Sequence, residues 1–191
     1  INSLSLKSIP DYMKKDDVIV VYTPAIPDDN IFLKYFRKNG NNQIYKRSEI
    51  LGEISKQSKC IAVAGTHGKT TTSAIISHLF HSSGIHFKAF IGGIMKCFDS
   101  NFINTGNDYI IVEADEFDRS FLNLNPNYAV ITSIESDHLD IYGDLKSLAE
   151  SFQSFTNNVK DVLITDAEID IDNHFSFSIK SDSDYYVNNI N

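Results

Sequence analysis

Short runs of consecutive apolar residues recur along the chain: VIVVY at 18–22, CIAVA at 60–64, FKAFI at 87–91, YIIV at 109–112, YAVI at 128–131 and VLIT at 162–165. Each is of strand length and rich in β-branched side chains, and an unbroken apolar run predicts a strand buried on both faces of a parallel sheet. Between these runs the spacing changes to three and four. DDNIFLKYFRKNG sets Ile31, Tyr35 and Phe36 on one helical face, SEILGEISKQ predicts a second helix, and Ile75, Ile76, Leu79 and Phe80 mark a third that ends at Gly84. DLKSLAESFQSFTNNV places Leu145, Leu148, Ala149, Phe152 and Phe155 on the face of a fourth. TPAIPDD, at 23–29, is a proline-punctuated loop, and HFSFSIKSDSDYYV alternates as edge or antiparallel strands do. Strand and helix alternate throughout, so the expected fold is α/β, a mostly parallel sheet with flanking helices.

Composition narrows the classes of function. A chain of 191 residues with 42% hydrophobic content has enough apolar surface for a core, and a net charge of -8 argues against nucleic acid or an anionic membrane as partner. No run approaches the length of a membrane span and no signal-peptide pattern is present, so a cytoplasmic location is expected. Cys60 and Cys97 belong to no CxxC pair and read as idle thiols. The chain opens on INSLSLKS without Met and closes on YYVNNIN with an extended pattern in progress, as a piece of a longer protein does.

The run CIAVA leads into GTHGKTTT at 65–72. The strict phosphate-loop pattern GxxxxGK[ST] fails here, because Val63 stands where its first glycine belongs. The shorter core retains the needed chemistry. Two glycines let the backbone approach a phosphate and turn its N–H groups inward, and the following helix presents its positive end. Lys69 offers a point charge to the outer phosphates and Thr70 a hydroxyl to Mg2+. A glycine corner with a solvated lysine is the plainer alternative, against which the preceding strand and following helix weigh.

Two acidic segments follow later strands. EADEFD puts Glu113, Asp115, Glu116 and Asp118 at the end of YIIV, where ligand sites of open α/β sheets collect. Strand alternation aims Glu113 and Asp115 one way and Glu116 the other. Glu113 is the strongest metal candidate, and the others suit a solvated loop partly neutralised by Arg119. ESDHLD, after YAVITSI, brings His138 to the same sheet edge if the strands are parallel.

Together AVAGTHGKTTT, EADEFDRSFLNLNP and SIESDHLDIYG resemble the Mur ligase family of ATP-dependent acid-amine ligases. DHLD is shared across that superfamily, whereas His67 in GTHGKTTT, VVYTPAIP and EADEFDRSFL resemble its alanine-adding branch. The resemblance implies residues 1–47 as the tail of a Rossmann-like UDP-sugar domain and 48–191 as an incomplete central ATPase domain. It implies ATP and Mg2+ as cofactors, and UDP-N-acetylmuramate and L-alanine as the molecules joined. Gly65, Thr66, His67, Gly68, Lys69, Thr70 and Thr71 are the implied nucleotide loop. Thr70 and Glu113 are implied on one Mg2+ and His138 on a second, with Lys69, Glu113 and His138 as the catalytic set. The Pro24–Pro27 loop borders the UDP-sugar site by the same analogy. Since such enzymes have three domains, this stretch alone is expected to bind nucleotide weakly and not to turn over. Two other readings stay open: a murein peptide recycling ligase, which shares GTHGKTTT, and a nucleotide-dependent binding module without ligase chemistry.

Overall fold

The computed structural model describes residues 9, 18–38, 43–135, 142, 144–172, 174–180 and 182–187. The chain divides into two compact units, Ile1–Leu51 and Gly52–Asn191.

In the first unit β1 (Ile19–Tyr22) and β2 (Gln43–Lys46) pair in parallel, joined through α1 (Ile31–Lys38). Asn30 starts α1 by accepting from the Phe32 and Leu33 amides at 2.9 and 3.2 Å, satisfying two donors that the first turn leaves free. The buried face is Leu33 and Phe36, one position round from the expected one, and Ile31 is exposed. Arg37 ties the helix end to Asp28 at 3.0 Å and lies over the Tyr22 ring. Next in the chain is α2 (Arg47–Ser55).

The second unit is built on an eight-stranded sheet of β3 (Lys59–Ala64), β4 (Phe87–Met95), β5 (Ser100–Asn104), β6 (Tyr109–Glu113), β7 (Tyr128–Ile131), β8 (Val162–Asp166), β9 (Phe175–Ser178) and β10 (Tyr185–Tyr186). Their spatial order is β10-β9-β8-β7-β3-β6-β4-β5. All pairings are parallel except β4 with β5, so the expected mostly parallel α/β sheet is the one observed. β5 (SNFIN) is polar at Ser100, Asn101 and Asn104 and offers no apolar run in the sequence. β9 and β10 continue the sheet in parallel beyond β8 with β10 at its edge, so the edge alternative holds for the last segment and the antiparallel one does not. Period-two patterning reports one covered face and does not set strand direction.

β3 lies between β6 and β7, and Cys60, Ala62, Val63 and Ala64 within it are fully buried. Ile61, Phe87, Ala89, Ile91 and Ile111 form one core cluster, against which Ile76 and Phe80 of α3 (Lys69–Ser82) pack. The alternating residues Cys60, Ala62, Ile110 and Val112 face the other way and are buried too, so both faces of the sheet centre are covered. Of the four apolar residues that mark α3 in the sequence, Ile76 and Phe80 pack on the sheet while Ile75 and Leu79 are exposed. Burial also pushes the Cys60 thiol up to about 12, as befits an idle core residue, while Cys97 is exposed.

β6 runs into a kinked 3-10 segment, Phe117–Asn123, against which α4 (Leu145–Thr156) packs. Phe121 meets Phe152 edge-on at 5.2 Å and stacks on Phe155 at 5.0 Å. Leu148, Phe152 and Phe155 are buried as the spacing predicts, and Leu145, at the first turn, is exposed. The Asp144 carboxylate caps α4 by accepting from the Ser147 amide at 2.7 Å, a bond that holds its pKa below the usual carboxylate value.

Candidate phosphate and metal site

The chain leaves β3 at a sharp turn. Gly65 has φ +126, and a Cβ there would lie 2.2 Å from the Thr132 hydroxyl, so no larger residue fits. Gly68, at φ +84, is the residue before α3 and reverses the backbone into the helix. Between them the turn is fastened to the segment after β7. The Thr66 and His67 amides donate to the Ser133 carbonyl and hydroxyl at 3.0 and 3.1 Å, and the Glu135 amide donates to the Thr66 hydroxyl at 2.9 Å. The Thr132 hydroxyl donates to the Ala64 and His67 carbonyls. His67 is exposed, with its ring 3.7 Å from the Glu135 carboxylate. Thr71 follows in the first turn of α3 and is also exposed.

Two of the predicted residues, Thr70 and Glu113, meet where β3 and β6 end side by side. The Thr70 hydroxyl donates to Glu113 at 3.2 Å. The other Glu113 oxygen is buried and has no hydrogen-bond partner among the described residues. A hydroxyl beside carboxylate oxygens is a hard oxygen set of the kind that suits Mg2+, and an orphaned buried oxygen asks for a cation. Gly92 of β4 makes the room, since a Cβ there would come within 2.7 Å of the carboxylate. No group of three His, Cys, Asp or Glu able to hold a metal ion occurs among the described residues. His138 lies outside the described residues.

Lys69 turns toward a residue that the sequence reading left in the solvated loop. Its ammonium pairs with Glu116 at 2.8 Å and donates to the Gly65 carbonyl at 2.6 Å. The strand ends at Glu113, so the alternation that grouped Glu113 with Asp115 no longer applies beyond it. Asp115 accepts from the Phe117 amide and closes the turn, while Glu116 is buried at 1% exposure. Arg119 lies over the Tyr142 ring at 5.7 Å. The Tyr142 hydroxyl donates to the Glu116 carbonyl, and burial, reinforced by the nearby Glu116 charge, pushes that phenol up to about 12, keeping it a donor. Glu116, Thr132, Ser133 and Tyr142 are the contributors that pattern reading missed. A usable signal existed for Thr132 and Ser133, which follow an apolar run as directly as GTHGKT does.

The glycine turn, the Lys69–Glu116 pair and the Thr70–Glu113 pair lie at the carboxyl edge of three adjacent parallel strands, the switch point of an open α/β sheet. A family model described as the Mur ligase middle domain matches residues 63–190. A UDP-N-acetylmuramate-L-alanine ligase of Cytophaga hutchinsonii is 41% identical over 97% of this chain and 42% of its own length, and one of Flavobacterium psychrophilum is 48% identical over 80% and 34%. The solved UDP-N-acetylmuramate-alanine ligase of Thermotoga maritima superposes with a TM-score of 0.78 at 28% identity, covering 93% of this chain and 43% of that one. The chain thus spans about two fifths of the relatives it matches. The family match over most of the second unit, together with relatives 41–48% identical over most of the chain, establishes that this chain belongs to the Mur ligase family.

Proposed function

We propose that this chain is the ATP-handling part of a cytoplasmic enzyme that joins L-alanine to UDP-N-acetylmuramate in peptidoglycan precursor synthesis. The observation that carries the reading is the convergence of Lys69, Thr70 and Glu113 on one sheet edge, in a chain 41–48% identical to proteins named for that ligation. In the proposed reaction a substrate carboxylate oxygen attacks the γ-phosphorus and ADP leaves. The amine of L-alanine then attacks the acyl carbon of the resulting acyl phosphate, inorganic phosphate leaves, and the nitrogen sheds its proton. The protein's part is positioning and charge neutralisation, the main requirement of phosphoryl transfer. The 65–71 backbone and the start of α3 orient the phosphates, and the Lys69 ammonium offsets their charge. Thr70 and Glu113 would hold a Mg2+, which would supply further charge neutralisation. His138 is proposed on a second metal by the family resemblance.

An ADP-release assay on the full-length protein with UDP-N-acetylmuramate, offering L-alanine against a tripeptide, tests the reading. L-alanine-dependent release is expected, and tripeptide preference would move the protein to the recycling ligases. A narrower expectation concerns the cation. Glu113→Gln keeps the hydrogen bond from Thr70 and removes the charge, so the Mg2+ needed for half-maximal nucleotide binding is expected to rise roughly 10- to 100-fold. A magnesium titration followed by calorimetry checks this, and an unchanged midpoint would take Glu113 off the metal.

A further inference from the structure

The Lys69 ammonium is surrounded by acceptors of the protein itself. Four acceptors face its three N–H groups: the Gly65 carbonyl at 2.6 Å, the Thr66 carbonyl at 3.3 Å, and the two Glu116 oxygens at 2.8 and 3.1 Å. Of the two side chains, Glu116 is the fixed one. It is 2% exposed against 16% for Lys69, and its carbonyl accepts from both the Tyr142 hydroxyl and the Arg119 amide. The chain then passes through two consecutive left-handed residues, Asp118 and Arg119 at φ 53 and 55, a turn that only a well-determined surrounding sustains. Lys69 is a flexible four-carbon stem on the first turn of α3.

We propose that Glu116 is the resident counter-ion of Lys69, a positioning residue that holds the ammonium where a phosphate otherwise takes it. Nucleotide binding is then an exchange of one anion for another on a single cation. This rests on the phosphate-loop reading above. Two consequences follow physically. The loop presents a neutral pair rather than a bare cation, which limits its affinity for phosphate. Glu116 also stands ready to retake the ammonium, so the same pair that opposes binding assists departure of the diphosphate product.

The test is calorimetric titration of ADP with Mg2+ into the full-length protein and its Glu116→Gln variant. Glutamine keeps the volume and an acceptor oxygen while removing the charge. The variant is expected to bind ADP about tenfold more tightly, the difference between a charged and a neutral competing hydrogen bond. Equal or weaker binding by a folded variant overturns the proposal, whereas failure of the unaltered protein to bind ADP overturns the phosphate-loop reading beneath it. A structural role alone lowers stability and does not tighten ADP. Should the variant not fold, amine acylation of the unaltered, nucleotide-free protein decides. Lys69 is expected to react at least about tenfold more slowly than Lys146, which is 84% exposed, and comparable rates would refute the held ammonium.

Discussion

Replacing Lys69 with alanine in the full-length protein is expected to lower ATP-dependent ligation by on the order of 1000-fold, the scale on which a single preorganised charge contributes to a charged transition state. The same change carries a cost in stability. Glu116 is buried and ion-paired to Lys69, so losing the lysine strips a buried carboxylate of its cation, which destabilises by roughly 3–5 kcal/mol. A single variant therefore mixes two effects. The double variant Lys69→Ala with Glu116→Gln separates them, because a neutral amide in that position no longer needs a cation. Most of the lost stability is expected to return in denaturant melts, and none of the activity in ADP-release assays. Recovery of turnover in the double variant would remove Lys69 from the phosphate site.

The second large effect lies in the packing behind the site. Phe152→Ala on α4 is expected to destabilise the second unit by about 3–5 kcal/mol, a large share of the 5–15 kcal/mol typical of a whole domain. Phe152 is fully buried and meets Phe121 at 5.2 Å, while Phe121 stacks on Phe155 at 5.0 Å. The cavity opens beneath the 3-10 segment that begins one residue after Glu116, so the loss also reaches the site. Equilibrium unfolding in urea measures it through the midpoint shift. A midpoint matching the unaltered protein would mean that the three rings do not form a cooperative part of the core.

The apolar runs at 60–64, 109–112 and 128–131 are strands in register, and parallel pairing brings their ends to one edge as expected. That much was legible because a strand buried on both faces must be apolar without interruption. The covered face of α1 is Leu33 and Phe36 rather than the Ile31, Tyr35 and Phe36 stripe, and in α3 Ile75 and Leu79 are exposed. Apolar spacing marks a helix, but which stripe is covered depends on what packs against it. The chain divides between Leu51 and Gly52, a position that composition does not mark.

The chemical inventory and its order along the chain can be read from the residues alone. Two glycines before a lysine and threonine can form a phosphate turn, and a carboxylate ending a buried strand can reach a cation, because those abilities reside in the residues and their immediate neighbours. The pairings come from the fold. That Thr70 meets Glu113 while Lys69 meets Glu116, and that the segment after β7 clasps the glycine turn, depends on β6, β3 and β7 lying side by side. These contacts join residues more than 40 positions apart. Local periodicity carries no information at that range, since it records only which face of each element is covered.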